Sequence, residues 1–339
     1  MIDLMELAEK GKMPDTAIRA GIRKLLRDRI KLEAKGSRED QMESLYKFIG
    51  MMEESPVAVA TDTANEQHYE VPSELFQTFM GAHLKYSCGY WPVADTTLNE
   101  AEEAMLELTC KRAGIVDGMD ILELGCGWGS LSLWMAQHYP NSNIVAVSNS
   151  QTQKKYIDAR GFNNLEVITA DMNDFRIARR FDRVVSVEMF EHMRNWHELL
   201  ARINHWLKAD GKLFIHIFVH RELAYLFNDS GEVNWMAEHF FKEGMMPSEN
   251  LLTLVNNDMV VDRLWRVNGR HYAKTLRAWL DNIDANEGLA TTILERHHGR
   301  EEARLQFGRW RIFFMACEEL FGYKGGEEWY VAHYLLKKR

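Results

Sequence analysis

The chain has 339 residues, 46% of them hydrophobic and 27% charged, with a formal net charge of -9. That balance belongs to a soluble globular protein able to bury a substantial core, as one large domain or a domain with a lid. The negative charge argues against a general nucleic-acid binder, which carries a basic footprint, and gives no help to docking on an anionic bilayer. Cys88, Cys110, Cys126 and Cys317 fall at no metal-ligand spacing and suggest no disulfide framework, so no metal is expected. No run reaches the length of a membrane span and the N-terminus lacks signal-peptide order, so a cytoplasmic location is predicted.

In chain order, residues 15–34 follow Pro14 and place Ile18, Ile22, Leu25, Leu26 and Ile30 on one stripe, with Arg19, Arg23, Lys24 and Arg27 around it. This predicts an amphipathic helix. Such a helix can lie on a membrane, but packing on the protein's own body or on a second subunit, as in a homodimer, is the commoner arrangement. Asp120–Leu124 is a short apolar run that leads into Gly125-Cys-Gly-Trp-Gly129. Next come a helical stretch over 130–139 and apolar runs at Asn143–Ser148, Leu165–Thr169, Arg183–Val187 and Lys212–Phe218. Strand-like runs alternating with helical patterns predict an α/β fold with a parallel sheet. Ligands in such sheets lie beyond the carboxyl ends of the strands, so the residues to watch are 149–153, Asp171 and Met172, 188–192, and 216–220. Residues 222–252, rich in large apolar groups such as Trp235, Phe240 and Phe241, can cover a pocket. Met259–Val267 reads as a strand, 274–322 as helices and Trp329–Leu336 as a final strand. The predicted organisation is an N-terminal helical segment over 1–75, a core over 76–221, and a helical lid with the last two strands over 222–339.

The strand, Gly-x-Gly-x-Gly turn and helix start at 120–130 make the most informative stretch. Glycine lets the backbone turn sharply and a ligand come close. A dinucleotide loop has the spacing G-x-G-x-x-G and binds a pyrophosphate. Here the third glycine comes one residue early and Glu123 sits inside the motif, which suits a cofactor carrying positive charge. The order E-x-G-x-G-x-G resembles motif I of class I S-adenosylmethionine (SAM) dependent methyltransferases. Tyr86-Ser-Cys-Gly-Tyr-Trp91, Gly125–Gly129, Asn149-Ser-Gln-Thr-Gln153 and Val187-Glu-Met-Phe-Glu-His-Met193 together resemble the cyclopropane fatty acid synthase superfamily. Within it the likeness is greatest to the coclaurine N-methyltransferase branch, whose carboxyl end is also similar to Phe321–Trp329, and it runs from about Gln67 to the end of the chain. The resemblance implies a Rossmann-like, seven-stranded, mostly parallel sheet with a helical lid.

Gly125 and Gly127 are expected to line the methionine part of SAM, and the resemblance adds Tyr86 and Ser87. The place after the second strand, where many nucleotide folds carry an acid for the ribose, holds Ser148 and Asn149, with Gln153 one turn later. In the superfamily an amide or hydroxyl takes that role. Asp171 is placed to accept the adenine amino group with Met172 against the ring, or else to serve as a helix N-cap.

Methyl transfer from a sulfonium is an in-line displacement that needs an aligned nucleophile and exclusion of water. An aliphatic amine is mostly protonated in neutral water and then has no lone pair, so a nearby base is required. Glu191 and His192 follow a core strand and supply one, while Glu188 is suited to hold the ammonium. All three stand where the resembling branch has its acid/base and substrate-holding residues. The alternative is a glutamate paired with Arg183 or Arg194. Trp310, Phe313, Phe314 and Trp329 offer flat apolar surfaces for an aromatic amine, or are plain core. The expected activity is therefore SAM-dependent N-methylation of a small aromatic or alkaloid-like amine. The competing activity is methylene transfer to an unsaturated lipid, for which the superfamily resemblance maps bicarbonate-holding residues onto Cys88, Glu191 and His216. The tyrosine of that set is missing from Trp310-Arg-Ile-Phe-Phe-Met315, and the lipid enzymes have glycine in place of Glu188. His216-Ile217, where the plant enzymes carry Glu-His, points toward the lipid enzymes. An idle SAM-binding protein is the third reading.

Overall fold

The computed structural model describes residues 4–59, 72–227, 235–241 and 243–339. Gln67, and 228–234 and Lys242 of the predicted pocket cover, lie outside the described residues. The sheet has the order β3-β2-β1-β4-β5-β9-β8. Its strands are β1 (Asp120–Leu124), β2 (Asn143–Ser148), β3 (Leu165–Thr169), β4 (Phe181–Val187), β5 (Leu207–His220), β8 (Met259–Val267) and β9 (Trp329–Lys338), and β6 (Tyr225–Leu226) pairs with β7 (Met245–Met246) as a separate ribbon. Within the seven-stranded sheet the pairings are parallel except those of β9, which runs antiparallel to β5 and β8. The order reverses between β1 and β4, so the crevice for a ligand opens at the carboxyl ends of those two strands.

Four of the five β1 residues are buried, as expected for a strand covered on both faces. Leu122 and Leu124 enter the core on one face, with Phe190, Trp196 and Leu199. Ile121 enters the core on the other, with Leu106, Cys110, Leu131 and Met135. Each such leucine or isoleucine contributes about 1.5–3 kcal/mol by leaving water. Glu123 alternates onto the Ile121 face and is equally buried, at 2% exposed, so the motif's carboxylate sits inside the fold.

Residues 4–54 form the helices α1 (Leu4–Glu9), α2 (Asp15–Glu33) and α3 (Arg38–Glu54). A further helix, α4 (Leu98–Ala113), is fixed at both ends by its sequence. Thr97 and Glu100 form a reciprocal capping box, and Gly114 ends the helix in the left-handed region at φ 65°. On α2, Ile18 is buried and Ile22, Leu26 and Ile30 pack on the carboxyl-terminal core, but Leu25 of the predicted stripe is 63% exposed. The basic residues Arg19 and Arg23 pair with Glu318 and Glu319 at 2.8–3.0 Å. Helix α2 thus packs on the chain's own body. Among the described residues no helix is long and apolar enough to cross a membrane.

Later helices are α5 (Ser130–His138), α6 (Gln151–Asp158), α7 (Trp196–Trp206), α8 (Trp235–His239) and α9 (Leu251–Leu254), and the predicted helical region 274–322 is formed by α10 (Gly269–Ala285), α11 (Glu287–His298) and α12 (Arg300–Gly322). Of these, α10 and α12 pack together and close over the crevice. One prediction is corrected here. The fifth strand does not stop at Phe218 but runs to His220, paired with β9 from Lys212 onward. His216 is therefore an interior strand residue opposite His333 and fully buried, not a residue at the strand's open end.

Candidate active site

A cavity of about 780 Å³ opens at the β1/β4 switch point. Its floor is the β1 loop with Glu123, Gly125 and Gly127, one side is Glu188, Glu191 and His192 after β4, and its roof is apolar, with Tyr272 and Trp279 from α10 and Phe313 and Phe321 from α12. Helix α2 adds Ile22, Leu26 and Arg29. The 84–87 segment completes the wall with Leu84, Lys85, Tyr86 and Ser87.

The glycine loop adopts left-handed backbone at Gly125 (φ 77°) and Gly127 (φ 53°). A Cβ on Gly125 would lie 2.7 Å from Met189 Cγ, whereas a Cβ on Gly127 would meet nothing within 4 Å. The first glycine makes room for the protein itself and the second leaves open space on the cavity side. Around that space several buried polar atoms have no partner among the described residues: Ser130 Oγ, Gln153 Nε2 and Glu191 Oε2. All three residues line the cavity. Buried polar groups ordinarily find partners, so the wall is built for a polar ligand. Gln153 is held in place by Ser148 Oγ, which donates to its Oε1 at 2.7 Å. Glu123 accepts from Ser132 Oγ, and burial raises its carboxyl to about 8.

Glu188 has the densest set of bonds. It directly follows β4 in left-handed backbone, φ 47°, a conformation uncommon for a non-glycine residue and typical of functional sites. Its Oε1 accepts from Cys88 N at 3.3 Å and faces His216 Nε2 at 3.2 Å, and its Oε2 accepts from Tyr272 Oη at 2.5 Å. Burial raises this carboxyl, while the Lys85 ammonium, the Tyr272 bond and the Cys88 N–H act against the rise. Lys85 is itself 3% exposed, donates to Ser87 Oγ and to Cys88 O at 3.0 Å, and is lowered by burial. Glu191, 1% exposed, is raised well above the usual carboxylate range, first by burial and then by the charge of Glu188. His192 stacks on Phe241 at 5.9 Å, and burial pushes its imidazole down to about 4.

The predicted residues divide as follows. Tyr86, Ser87, Gly125, Gly127, Gln153, Glu188, Glu191, His192 and Phe313 meet at the cavity wall. Asn149, Asp171 and Met172 are not part of that wall. Asp171 follows the edge strand β3, and its Oδ1 accepts from Asn173 N at 2.7 Å in an Asx turn. Met172 is buried in the core with Phe175. Trp310, Phe314 and Trp329 are also corrected to core. Trp310 and Phe314 pack on Phe79 at 5.5 and 5.0 Å, and Trp329 Nε1 donates to Tyr225 Oη at 3.1 Å. Arg183 is not a partner of the glutamates, since it donates to the carbonyls of Ala113, Asp182 and Gly114. Of the residues matched to the bicarbonate set, only Glu191 lines the cavity. The Cys88 thiol donates to Gly89 O at 3.1 Å and is pushed up by burial, and His216 lies behind Glu188. Among the described residues no cluster of His, Cys, Asp and Glu fits a metal ion.

Lys85 and Tyr272 were not legible as site residues. Lys85 carried one signal, a charge set between Leu84 and Tyr86 beside a binding motif. Tyr272 carried none, since with Leu276 and Trp279 it reads as a core stripe.

The profile of the mycolic acid cyclopropane synthetase family matches residues 59–327. The (S)-coclaurine N-methyltransferase of Thalictrum flavum subsp. glaucum is 37% identical over 347 residues, which covers 100% of this chain and 96% of that protein. The cyclopropane-fatty-acyl-phospholipid synthase of Escherichia coli (strain K12) is 32% identical over 221 residues, 64% of this chain and 56% of that one. Among solved structures, a coclaurine N-methyltransferase bound to N-methylheliamine and SAH superposes with a TM-score of 0.95 at 36% identity, covering 99% of both chains.

Proposed function

We propose that this chain, which belongs to the mycolic acid cyclopropane synthetase family, is a SAM-dependent N-methyltransferase whose acceptor is the nitrogen of a small aromatic, alkaloid-like amine. The assignment of the cofactor to the β1 loop is supported by the open side of Gly127 and the unpartnered polar atoms of Ser130 and Gln153. Tyr86 and Ser87 complete that wall. SAM supplies a methyl group on a sulfonium, transferred by in-line displacement.

The chain's own residues do the rest. Glu188 attracts the incoming ammonium and fixes the nitrogen, with Tyr272 and Cys88 N holding the carboxylate's orientation. Glu191 takes the proton that leaves the nitrogen. Burial and the neighbouring Glu188 raise its carboxyl well above the usual carboxylate range, so its ionised form takes up a proton more readily than an ordinary carboxylate does. His192, kept neutral by burial, is a weak base and relays that proton rather than keeping it. The apolar roof of Trp279, Phe313 and Phe321 excludes water and receives an aromatic body.

The observation that carries the amine reading over the lipid one is the placement of Glu188. Its carboxylate takes up both the Cys88 N–H and the His216 ring and presents its charge to the cavity. Against a hydrocarbon chain that charge would have no partner on the cavity side. Against an ammonium it is matched. The test is a mass-resolved screen with methyl-labelled SAM, offering tetrahydroisoquinolines, phenethylamines and vesicles of unsaturated phospholipid. Methylated tetrahydroisoquinoline or phenethylamine supports the reading, while cyclopropane product from the vesicles, or no labelled product at all, overturns it.

A further inference from the structure

Behind Glu188, on the side away from the cavity, a file of three side chains crosses the sheet. His216 Nε2 faces Glu188 Oε1 at 3.2 Å, His216 Nδ1 faces His333 Nε2 at 2.9 Å, and His333 Nδ1 faces an Arg112 Nη at 2.9 Å. The two histidines are register partners on β5 and β9, both fully buried, with ring centroids 4.6 Å apart. Arg112 lies in the last turn of α4, its guanidinium 5.3 Å over the ring of Trp265.

The direction of every bond in the file follows from its outer end. A guanidinium has only donors and stays protonated. His333 Nδ1 must therefore accept, and its proton sits on Nε2. His216 Nδ1 must then accept from His333, so its own proton sits on Nε2 and points at Glu188. A second proton on either ring would set two donors against each other. Burial, the first cause, and the nearby cations Arg112 and Lys85 hold both imidazoles well below their usual range, in accord with two neutral rings.

We propose that Arg112 and His333 are positioning residues: they lock His216 as an Nε2–H donor to Glu188 and so keep that carboxylate ready for a cationic substrate. This rests on the amine reading above. Nothing in the file touches the cavity, so its effect passes through Glu188. The other groups that face Glu188 are Lys85 and Cys88 from the 84–91 segment, Glu191 and His192 after β4, Tyr272 from α10 and Cys317 from α12. None of them substitutes for the donor on the sheet side.

The test uses the full chain saturated with SAH and labelled with 15N-histidine. Two-bond proton–nitrogen spectra should show His216 and His333 as pure Nε2–H tautomers from pH 6 to 9. Arg112→Met removes the directing donor and should let the Nδ1–H form appear. His333→Phe should raise the amine KM by about five- to tenfold, change kcat less than twofold, leave the SAM KM unchanged, and move the acid limb of amine kcat/KM to higher pH, because Glu188 without its donor holds a proton more tightly. His333→Gln keeps one acceptor and one donor in the same order and should restore the wild-type amine KM. A merely structural role would not produce that split or that rescue. Wild-type tautomers in Arg112→Met, or an unchanged amine KM and pH profile in His333→Phe, overturn the proposal. If His333→Phe fails to fold, Arg112→Met at the half-buried end of the file carries both readouts. The spectra need no substrate, so a failure of the amine reading itself appears separately, as wild-type protein without amine turnover.

Discussion

Replacing Glu188 by glutamine removes one charge from the cavity and almost nothing else. The amide can keep every bond the carboxylate makes. Its oxygen, placed at the Oε1 position, still accepts from Cys88 N and from the His216 ring. Its NH2, placed at Oε2, donates to Tyr272 Oη, a hydroxyl able to accept. The fold should therefore persist, and the loss should fall on the amine. A carboxylate and an ammonium about 4 Å apart attract by roughly 4 kcal/mol at an effective dielectric of about 20. A neutral amide retains a hydrogen bond to the ammonium of about 1 kcal/mol. The buried Lys85 ammonium already offsets part of the Glu188 charge. The net loss is then about 2–3 kcal/mol, or roughly a 30- to 150-fold rise in the amine dissociation constant. Calorimetric titration of the amine into SAH-saturated protein reads this directly, with SAH affinity and melting temperature as controls. An amine affinity within threefold of wild type, with both controls unchanged, would show that Glu188 does not hold the ammonium.

The two loop glycines should separate folding from cofactor binding. Gly127→Ala adds about 1–2 kcal/mol of left-handed backbone strain but meets no protein atom, so SAM affinity should collapse with a modest loss of melting temperature. Gly125→Ala adds the same strain and collides with Met189, so both quantities should fall, and equal behaviour of the two variants in scanning calorimetry would count against the assignment. Glu123, raised to about 8 by burial, must lose its proton to face a cationic cofactor, so SAM affinity should rise by up to about tenfold per pH unit below 8 and level off above it; a flat profile in Glu123→Gln and a sloped one in wild type is the expected pair of titrations. The Glu191→Ala, His192→Ala double variant should lose about 10²- to 10⁴-fold in turnover at neutral pH while still binding SAM, with partial recovery at high pH as free amine becomes available. Near-native turnover at pH 7 would leave proximity alone as the source of catalysis.

The sheet was largely written in local pattern. The runs Asn143–Ser148 and Leu165–Thr169 coincide with β2 and β3, and Met259–Val267 coincides with β8, because β-branched residues are bounded there by turn residues. Strand β5 was the exception. Its first residues, Leu207-Lys-Ala-Asp-Gly211, carry turn chemistry, and Leu207 joins the ladder through its pairing with Phe181 of β4, ahead of a register shift. The placement of Gly125, Gly127, Glu188, Glu191 and His192 around one cavity was legible because loop and strand-end positions share one rim in a parallel sheet. What joins Glu188 to Tyr272, 84 residues away, or His216 to His333, 117 away, has no local signature. Both partners are single polar residues in otherwise apolar stripes, and periodicity assigns such residues to core. For Trp310, Phe314 and Trp329 that rule holds: of the two readings open for them, a ligand surface or plain core, packing places all three in the core.

Glu188 concentrates two costs that the fold alone does not recover. Its backbone lies at φ 47°, where a glycine would be relaxed and a side chain costs about 1 kcal/mol or more. Its carboxylate is buried, and burial is the largest influence on its titration, pressing it toward the neutral form. The lipid-modifying enzymes that this chain resembles carry glycine there, which removes both costs at once. Keeping the glutamate is reasonable only if a cation arrives to face it, and the site is arranged so that one ammonium is already within reach. Lys85 stabilises the charged carboxylate before substrate enters, yet it is tied to Ser87 and Cys88 and cannot occupy the substrate's place. The arrangement therefore selects by charge as well as by shape. An uncharged isostere of the amine should gain the apolar roof but not the Glu188 term, and should bind more weakly by about the same factor that glutamine at this position imposes on the amine itself.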